Sequence, residues 1–538
     1  MCFSFMKKFF TVFAISFLCI SISKGQLNFT LELDTAPITV MPGVHSGAFA
    51  NHNGYWFFIG GRTNGLHGFL TPNAFPSSGI NDSIYMIDPV NNLRWAQSTS
   101  AFDTTLKEML QSSSFQHTQR DSMLYIIGGY GFNDALYDYI TQPHLVAVNL
   151  NALQNAMINQ TNAEPLFRMM TDSTLAVCGG QMFASDTVFH LVFGHRFDGR
   201  YSENDSSGFY VQTYTNSITS FVLHDDGVNL SISTPTFLKD TINFHRRDYN
   251  LVPQKFPDGT IGYTAFTGVF RYEAPLPYLD CINIYDGNTY EMIPNFNQNL
   301  NQYHTATMPV YDVQNNIMQT VFFGGTALYT YDTLTQQLVQ DTMVPFVNTI
   351  SKVTRMADST LVESVFPITM PALMGTNATF IHTPNAPMID GLFLDINNVQ
   401  GNTHVGYIVG GILSPSANIS QTGAYVSSAV STVYRVWLKS NTTSLPENNV
   451  RDNIFNLICY PNPSEGINTI SFETNRNGNI QVQIVNGVGE LVDNIFEGNV
   501  IAGKHVFNYD SKSLSKSNIY FVRVLFDGLG KTFKLMRF

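Results

Sequence analysis

One phrase recurs six times between Tyr55 and Gly411: a short, aromatic-rich apolar run that stops at glycine. Tyr55–Ile59 leads into Gly60-Gly61, Met123–Ile127 into Gly128-Gly129, and residues 189–193 into Gly194-His195. Residues 262–266 lead into Thr267-Gly268, 319–323 into Gly324-Gly325, and 405–409 into Gly410-Gly411. A unit repeated on this scale is one supersecondary block whose faces are buried only by its neighbours. Repetition therefore sets the architecture before any residue is given a role.

Each run is followed by a second alternating strand, at Ser83–Asp88, 145–149, 218–223, 281–286, 327–332 and 433–437. Upstream of five of the six runs stands a histidine: His45, His117, His245, His304 or His382. The turn positions are separated by 68, 66, 73, 57 and 86 residues, so the core phrase is constant while the loops vary. Sharp turns beside a crowded axis need positive φ or close backbone approach, which glycine tolerates at least cost. His195 is read as standing in the second glycine position of the third copy.

Composition supports strands. Hydrophobic residues make up 44% and charged residues only 13%, too few for the polar faces of many surface helices. Lys7 and Lys8 precede an apolar stretch over residues 9–22, with Ser23 and Gly25 placed for cleavage before Gln26. Fourteen helical residues span about 21 Å, short of a ~30 Å hydrocarbon core, so residues 1–25 read as a cleavable export signal and no transmembrane segment is expected in the mature chain. Removing residues 1–25 takes three lysines and no acid, which lowers the net charge from −12 to −15. Residues 451–538 carry nine bases and eight acids, leaving −16 on residues 26–450. That balance argues against nucleic acid and anionic lipid as partners, because phosphate binding needs clustered Lys and Arg. Cys178, Cys281 and Cys459 lie too far apart for a disulfide framework or a zinc motif, and the first two read as small buried hydrophobes.

With these features in place, residues 30–440 resemble kelch-type β-propellers. The fullest copy of their aromatic-x-aromatic-Asp strand and downstream Trp is Tyr85-Met86-Ile87-Asp88 with Trp95. The resemblance implies four-stranded blades around a central channel. Six blades are expected, with seven as the alternative if residues 350–401 hide another. Residues 441–456 are polar and read as a linker. Beyond them, strands at 479–485, 519–525 and 532–536 suggest a small immunoglobulin-like β-sandwich. That tail resembles the C-terminal sorting domain of type IX (Por) secretion cargo. The residues that carry the likeness are Tyr460-Pro461-Asn462-Pro463, Gly489 in its turn, Gly503, Tyr520, Lys531 and Lys534. The expected organisation is export signal 1–25, all-β propeller 26–440, linker 441–456 and sorting domain 457–538. The resemblance makes the type IX machinery a partner and places the product outside the cell or on its surface.

Chemistry is less legible. The five histidines, if each sits on the same strand of its blade, converge on the channel; hydrogen bonding between blades is the preferred reading over metal binding. Arg246, in the His245-Arg246-Arg247-Asp248 cluster, is a candidate anchor for a carboxylate beside an ion pair with Asp248. Asp225-Asp226-Gly227 and Asp286-Gly287-Asn288 read as turns and not calcium loops. No nucleophile elbow, phosphate loop or zinc-protease helix is present, and no metal or cofactor is expected. The leading reading is a binding module for a glycan or protein. The alternative is a sugar-active enzyme, such as a sialic-acid epimerase or lyase.

Overall fold

The computed structural model describes residues 29–68, 74–201, 210–419, 426–440, 454–486, 489–516, 518–526 and 529–537. The export signal and most of the linker lie outside them. The chain divides into two compact units between Thr442 and Thr443.

The first unit is almost entirely β, with two short helices among its described residues, Thr104–Leu110 and Leu150–Asn159. Their N-termini are capped by Asp103 and Asn149 side chains, and their apolar faces fill the core between the first two sheets. Six sheets of four or more strands, antiparallel apart from one pairing in the fifth, follow one another along this unit. Sheet 1 runs Ala48–His52, Tyr55–Ile59, Ser83–Asp88, Leu93–Ser98; sheet 2 runs Gln116–Arg120, Met123–Ile127, His144–Asn149, Phe167–Thr171. Sheet 3 begins Gln181–Ser185, Val188–Val192, Ser217–Asp225, and sheet 4 is Asn250–Lys255, Ile261–Phe266, Cys281–Ile284, Tyr290–Met292. Sheet 5 is Ala306–Asp312, Ile317–Thr326, Phe346–Arg355, Leu361–Thr369. Sheet 6 is Ala378–His382, Asn402–Gly410, Tyr434–Ser440 and, outermost, the N-terminal strand Phe29–Thr35.

The second strand of each sheet carries the recurrent apolar run and is sealed on both faces; Tyr55–Ile59 and Met123–Ile127 are each buried at every residue after the first. The outermost strands alternate instead, as Leu93–Ser98 does, because only one face meets protein. Successive sheets pack through their first strands, and Trp56 of sheet 1 meets Tyr407 of sheet 6 edge-on at 5.1 Å.

Two sequence expectations need correction. In the third copy, Phe193 (φ 49°) and Gly194 (φ 84°) occupy the two turn positions, matching Gly60 and Gly61 (65° and 84°), so His195 is the residue after the turn. The Phe193 ring packs on Phe244 and Tyr249, in the segment that leads into sheet 4, at 4.6 and 5.2 Å. Next, Tyr329–Asp332 pairs with Gln337–Gln340 in a separate hairpin, and the third strand of sheet 5 is Phe346–Arg355. Residues 350–401 supply the outer strands of sheet 5, the first strand of sheet 6, and a small hairpin whose Phe393–Asp395 strand joins sheet 5 in parallel.

The second unit holds a three-stranded sheet (Ile454–Tyr460, Ile467–Thr474, Gly503–Asp510) and a four-stranded one (Leu491–Val500, Gly478–Asn486, Asn518–Phe526, Leu529–Arg537). Both contribute to one core that includes Phe472, Val482, Val522 and Leu535.

Candidate functional site

The loop entering each sheet places two consecutive residues on the axis of the first unit. The leading residues are His45, Ser113, Cys178, Arg247, Tyr303 and Thr376. Each is followed by a residue in the left-handed region: Ser46, Ser114, Gly179, Asp248, His304 and Asn377, with φ from 50° to 65°. Gly, Asp, Asn and His are residue types that reach this conformation most readily. The twist lets the loops bond one another around the axis. Ser114 N donates to Ser46 O (2.7 Å), Gly179 N to Ser114 O (3.0 Å), Asp248 N to Gly179 O (2.7 Å) and Asn377 N to His304 O (2.7 Å). A second tier comes from the residue after each glycine turn: Arg62, Tyr130, His195, Val269, Thr326 and Ile412. Arg62, Tyr130, His195, Val269 and Thr326 bridge to the leading residue of their own sheet, and Ile412 N donates to Thr376 O at 2.9 Å.

All eighteen residues line one cavity of about 520 Å³. His67, Phe75 and Tyr201, from loops, and Tyr210, at the head of a strand, also line it. His67 stacks on Phe75 at 4.1 Å, and Phe75 meets Tyr130 edge-on at 4.8 Å. Tyr130 donates its hydroxyl to Gly199 O at 2.5 Å. Thr376 Oγ1, Asn377 Oδ1 and Asn418 Oδ1, all on this wall, are buried oxygens without a hydrogen-bond partner among the described residues.

The charged side chains of the wall are Arg62, Arg247 and Asp248. Arg62 donates to Asn64 Oδ1 (3.0 Å) and Pro76 O (2.6 Å); Arg247 pairs with Asp248. Burial drives the imidazoles toward neutrality, to about 4 for His45 and His67 and about 3 for His195. His304 is also lowered by burial, against the pull of Asp248, whose Oδ1 lies 3.6 Å from His304 Nδ1. Buried in apolar surroundings, the Cys178 thiol is pushed up to about 12, which leaves it unreactive.

The candidates read from sequence are not brought together as a set. His45 and His304 line the cavity. His117 lies within the first strand of sheet 2, half-buried and lowered to about 4 by desolvation; His245 stacks on Tyr214 at 3.7 Å; His382 ends the first strand of sheet 6, its Nδ1 3.2 Å from Thr383 O. None of these three is among the cavity residues. Arg246 is 0% exposed, paired with Asp280 and lying 3.9 Å over the Tyr278 ring, where it ties Asn243 O to Thr267 O and Asp280 in the connection between the second and third strands of sheet 4. Its neighbour Arg247 faces the cavity. Asp226 and Asp286 spend their carboxylates on turn N–H groups at Asn229, Val228, Asn288 and Thr289. Sequence reasoning missed Arg62 and His195, although one signal marked both: each directly follows a glycine turn.

In the second unit the tail motif is structural. Both Tyr460-Pro461 and Asn462-Pro463 are cis. Asn462 clamps the last strand, donating to Lys534 O (2.7 Å) and accepting from Met536 N (2.9 Å). Gly489 (φ 88°) closes the turn in which Asn486 and Glu490 bond each other, Gly503 (φ 136°) opens its strand, and the buried Tyr520 accepts from Ser515 N at 3.1 Å. Lys531 and Lys534 both lie on the final strand.

No curated protein matches the chain. Among solved structures it is similar to one titled "Structure of YjhT", at 10% identity and a TM-score of 0.41 over 76% of this chain and 99% of that one. It is also similar to a fungal alcohol oxidase of the AA5 family in complex with copper, at 8% identity and a TM-score of 0.35 over 94% of this chain and 98% of that one. Likenesses this loose carry no argument about chemistry. Residues 458–536 match the family model of the secretion system C-terminal sorting domain, the Por secretion tail. The chain thus carries an address for type IX export, to the cell surface or beyond it.

Proposed function

We propose that residues 26–440 form a six-bladed, kelch-like β-propeller that binds a sugar or short glycan in its central cavity. In this reading residues 1–25 are a cleaved export signal, 441–456 a linker, and 457–538 an immunoglobulin-like domain engaging the type IX machinery. One observation carries the binding role: six equivalent loops aim their side chains into one cavity of about 520 Å³. That volume suits a small ligand, and its aromatic wall with unpartnered oxygens suits the apolar faces and hydroxyls of a sugar. A glycan-array screen of the exported protein tests this. Phe75→Ala is expected to weaken any hit about tenfold, the loss of one stacking ring of ~1.4 kcal/mol. An array with no hit, or a hit indifferent to Phe75→Ala, refutes it.

A catalytic reading rests on His304. Its imidazole is held neutral, Asp248 faces Nδ1, and Nε2 has no hydrogen-bond partner among the described residues. A neutral imidazole oriented by a carboxylate is a general base for sugar chemistry. If this reading holds, His304→Gln lowers turnover of a bound sugar by about 10²–10⁴-fold while leaving its affinity in place; a product assay beside the binding screen separates the two readings.

A further inference from the structure

Antiparallel strands alternate in direction, so turns joining first to second and third to fourth strands lie at the opposite ends of the sheets from the cavity loops. Between sheets 4 and 5 such turns enclose a second cleft, of about 590 Å³. Arg355, the last residue of Phe346–Arg355, lines it and is only 3% exposed. Its Nη2 donates to Thr264 Oγ1 (3.0 Å) and Asn283 Oδ1 (2.8 Å), and its plane lies 4.9 Å over the Phe256 ring. Among the described residues no carboxylate lies within ion-pair reach of this guanidinium, and neither Nε nor Nη1 has a hydrogen-bond partner. Nε is sealed off, whereas Nη1 is not. A buried cation held only by neutral partners is costly, and burial pulls this one down to about 10.

The rim has the opposite sign. Glu291, Asp258 and Asp358 line the same cleft, and all three are exposed. Asp258 and Asp358 each use Oδ1 to accept from the N–H and hydroxyl of a threonine two residues on. A simple anion would gain Arg355 but meet repulsion at the rim; a simple cation faces the reverse. We propose that this cleft is a second binding site, for a small amino carboxylate whose carboxylate meets Arg355 and whose ammonium group faces the acidic rim.

Calorimetric titration of the full chain with glycine, β-alanine and 4-aminobutyrate, beside acetate and methylammonium, tests the proposal. At least one zwitterion is expected to bind about tenfold tighter than either singly charged probe. Arg355→Met abolishes that binding. Glu291→Gln, at an exposed position, weakens the zwitterion by about threefold and tightens acetate. Partial unfolding does not produce such opposed changes, so this variant decides the matter if Arg355→Met fails to fold. Acetate binding as tightly as every zwitterion, no binding by any probe, unchanged binding in folded Arg355→Met, or Glu291→Gln moving both ligands the same way overturns it.

Discussion

His195 shows how a single side chain ties the cavity to the solvent's acidity. The Gln212 amide donates to its Nδ1 at 2.8 Å, and burial holds the ring near 3, far below the ordinary histidine range. A group whose folded value lies below its unfolded value of 6.5 adds stability above that pH and loses it as pH falls toward the folded value. His45 and His67 add to the same trend. Glu363 works in the other direction. Its buried carboxyl accepts from Asn299 N at 2.8 Å and from Leu300 N, and burial raises it from 4.5 to about 8. Its contribution is complete below 4.5 and disappears as pH rises to about 8. Melting temperature followed from about pH 4 to about pH 9 should therefore decline on both sides of a mildly acidic maximum. His195→Gln should flatten the acid arm and Glu363→Gln the alkaline arm; unchanged arms in both variants would disprove the assignment.

At the level of the element, the glycine turn fixes one sheet against the next. Gly129 N donates to Val177 O at 2.9 Å, and a Cβ built on Gly128 would stand 1.9 Å from that same carbonyl. Gly61 and Gly194 make the same bond to Ser112 O and Arg246 O. Gly128→Ala combines left-handed strain with a backbone clash and is expected to cost about 2–4 kcal/mol. Gly54, at φ 81°, has no atom within 4 Å of where a Cβ would stand and isolates the strain alone. Gly54→Ala should therefore cost about 1 kcal/mol. Chemical denaturation of the two variants measures the difference; equal costs would show that sheet contact plays no part. The turn and its apolar run were readable in the sequence because both are local: alternation, aromatic content and glycine. The cavity was only partly readable. His45 and His304 stood out as repeated histidines, yet His117 and His382 obey the same repeat while sitting on strands. Arg62 and His195 share a register position with Tyr130 but no chemical type, so residue identity hid them. Arg246 and Arg247 differ by one residue in an extended backbone, and that single step sends one into the protein and the other onto the axis.

Across the whole first unit, the last sheet is completed from the chain's beginning. Seven register pairs join Phe29–Thr35 to Tyr434–Ser440, and Phe29 and Leu31 are buried. Deleting residues 29–35 removes about 5 kcal/mol of apolar burial from these two side chains and bares the edge of Tyr434–Ser440. The truncated protein is expected to aggregate or melt well below the intact chain in a thermal scan, and an unchanged melting temperature would exclude the pairing.

This closing strand has a consequence for delivery. Its partner is among the last segments of the first unit to leave the ribosome, and the export address at 458–536 comes later still. A polypeptide cut short anywhere before the seam lacks both the means to shut and the label for dispatch. The address thus doubles as a certificate of completeness: whatever presents it has already been synthesised through its final sheet.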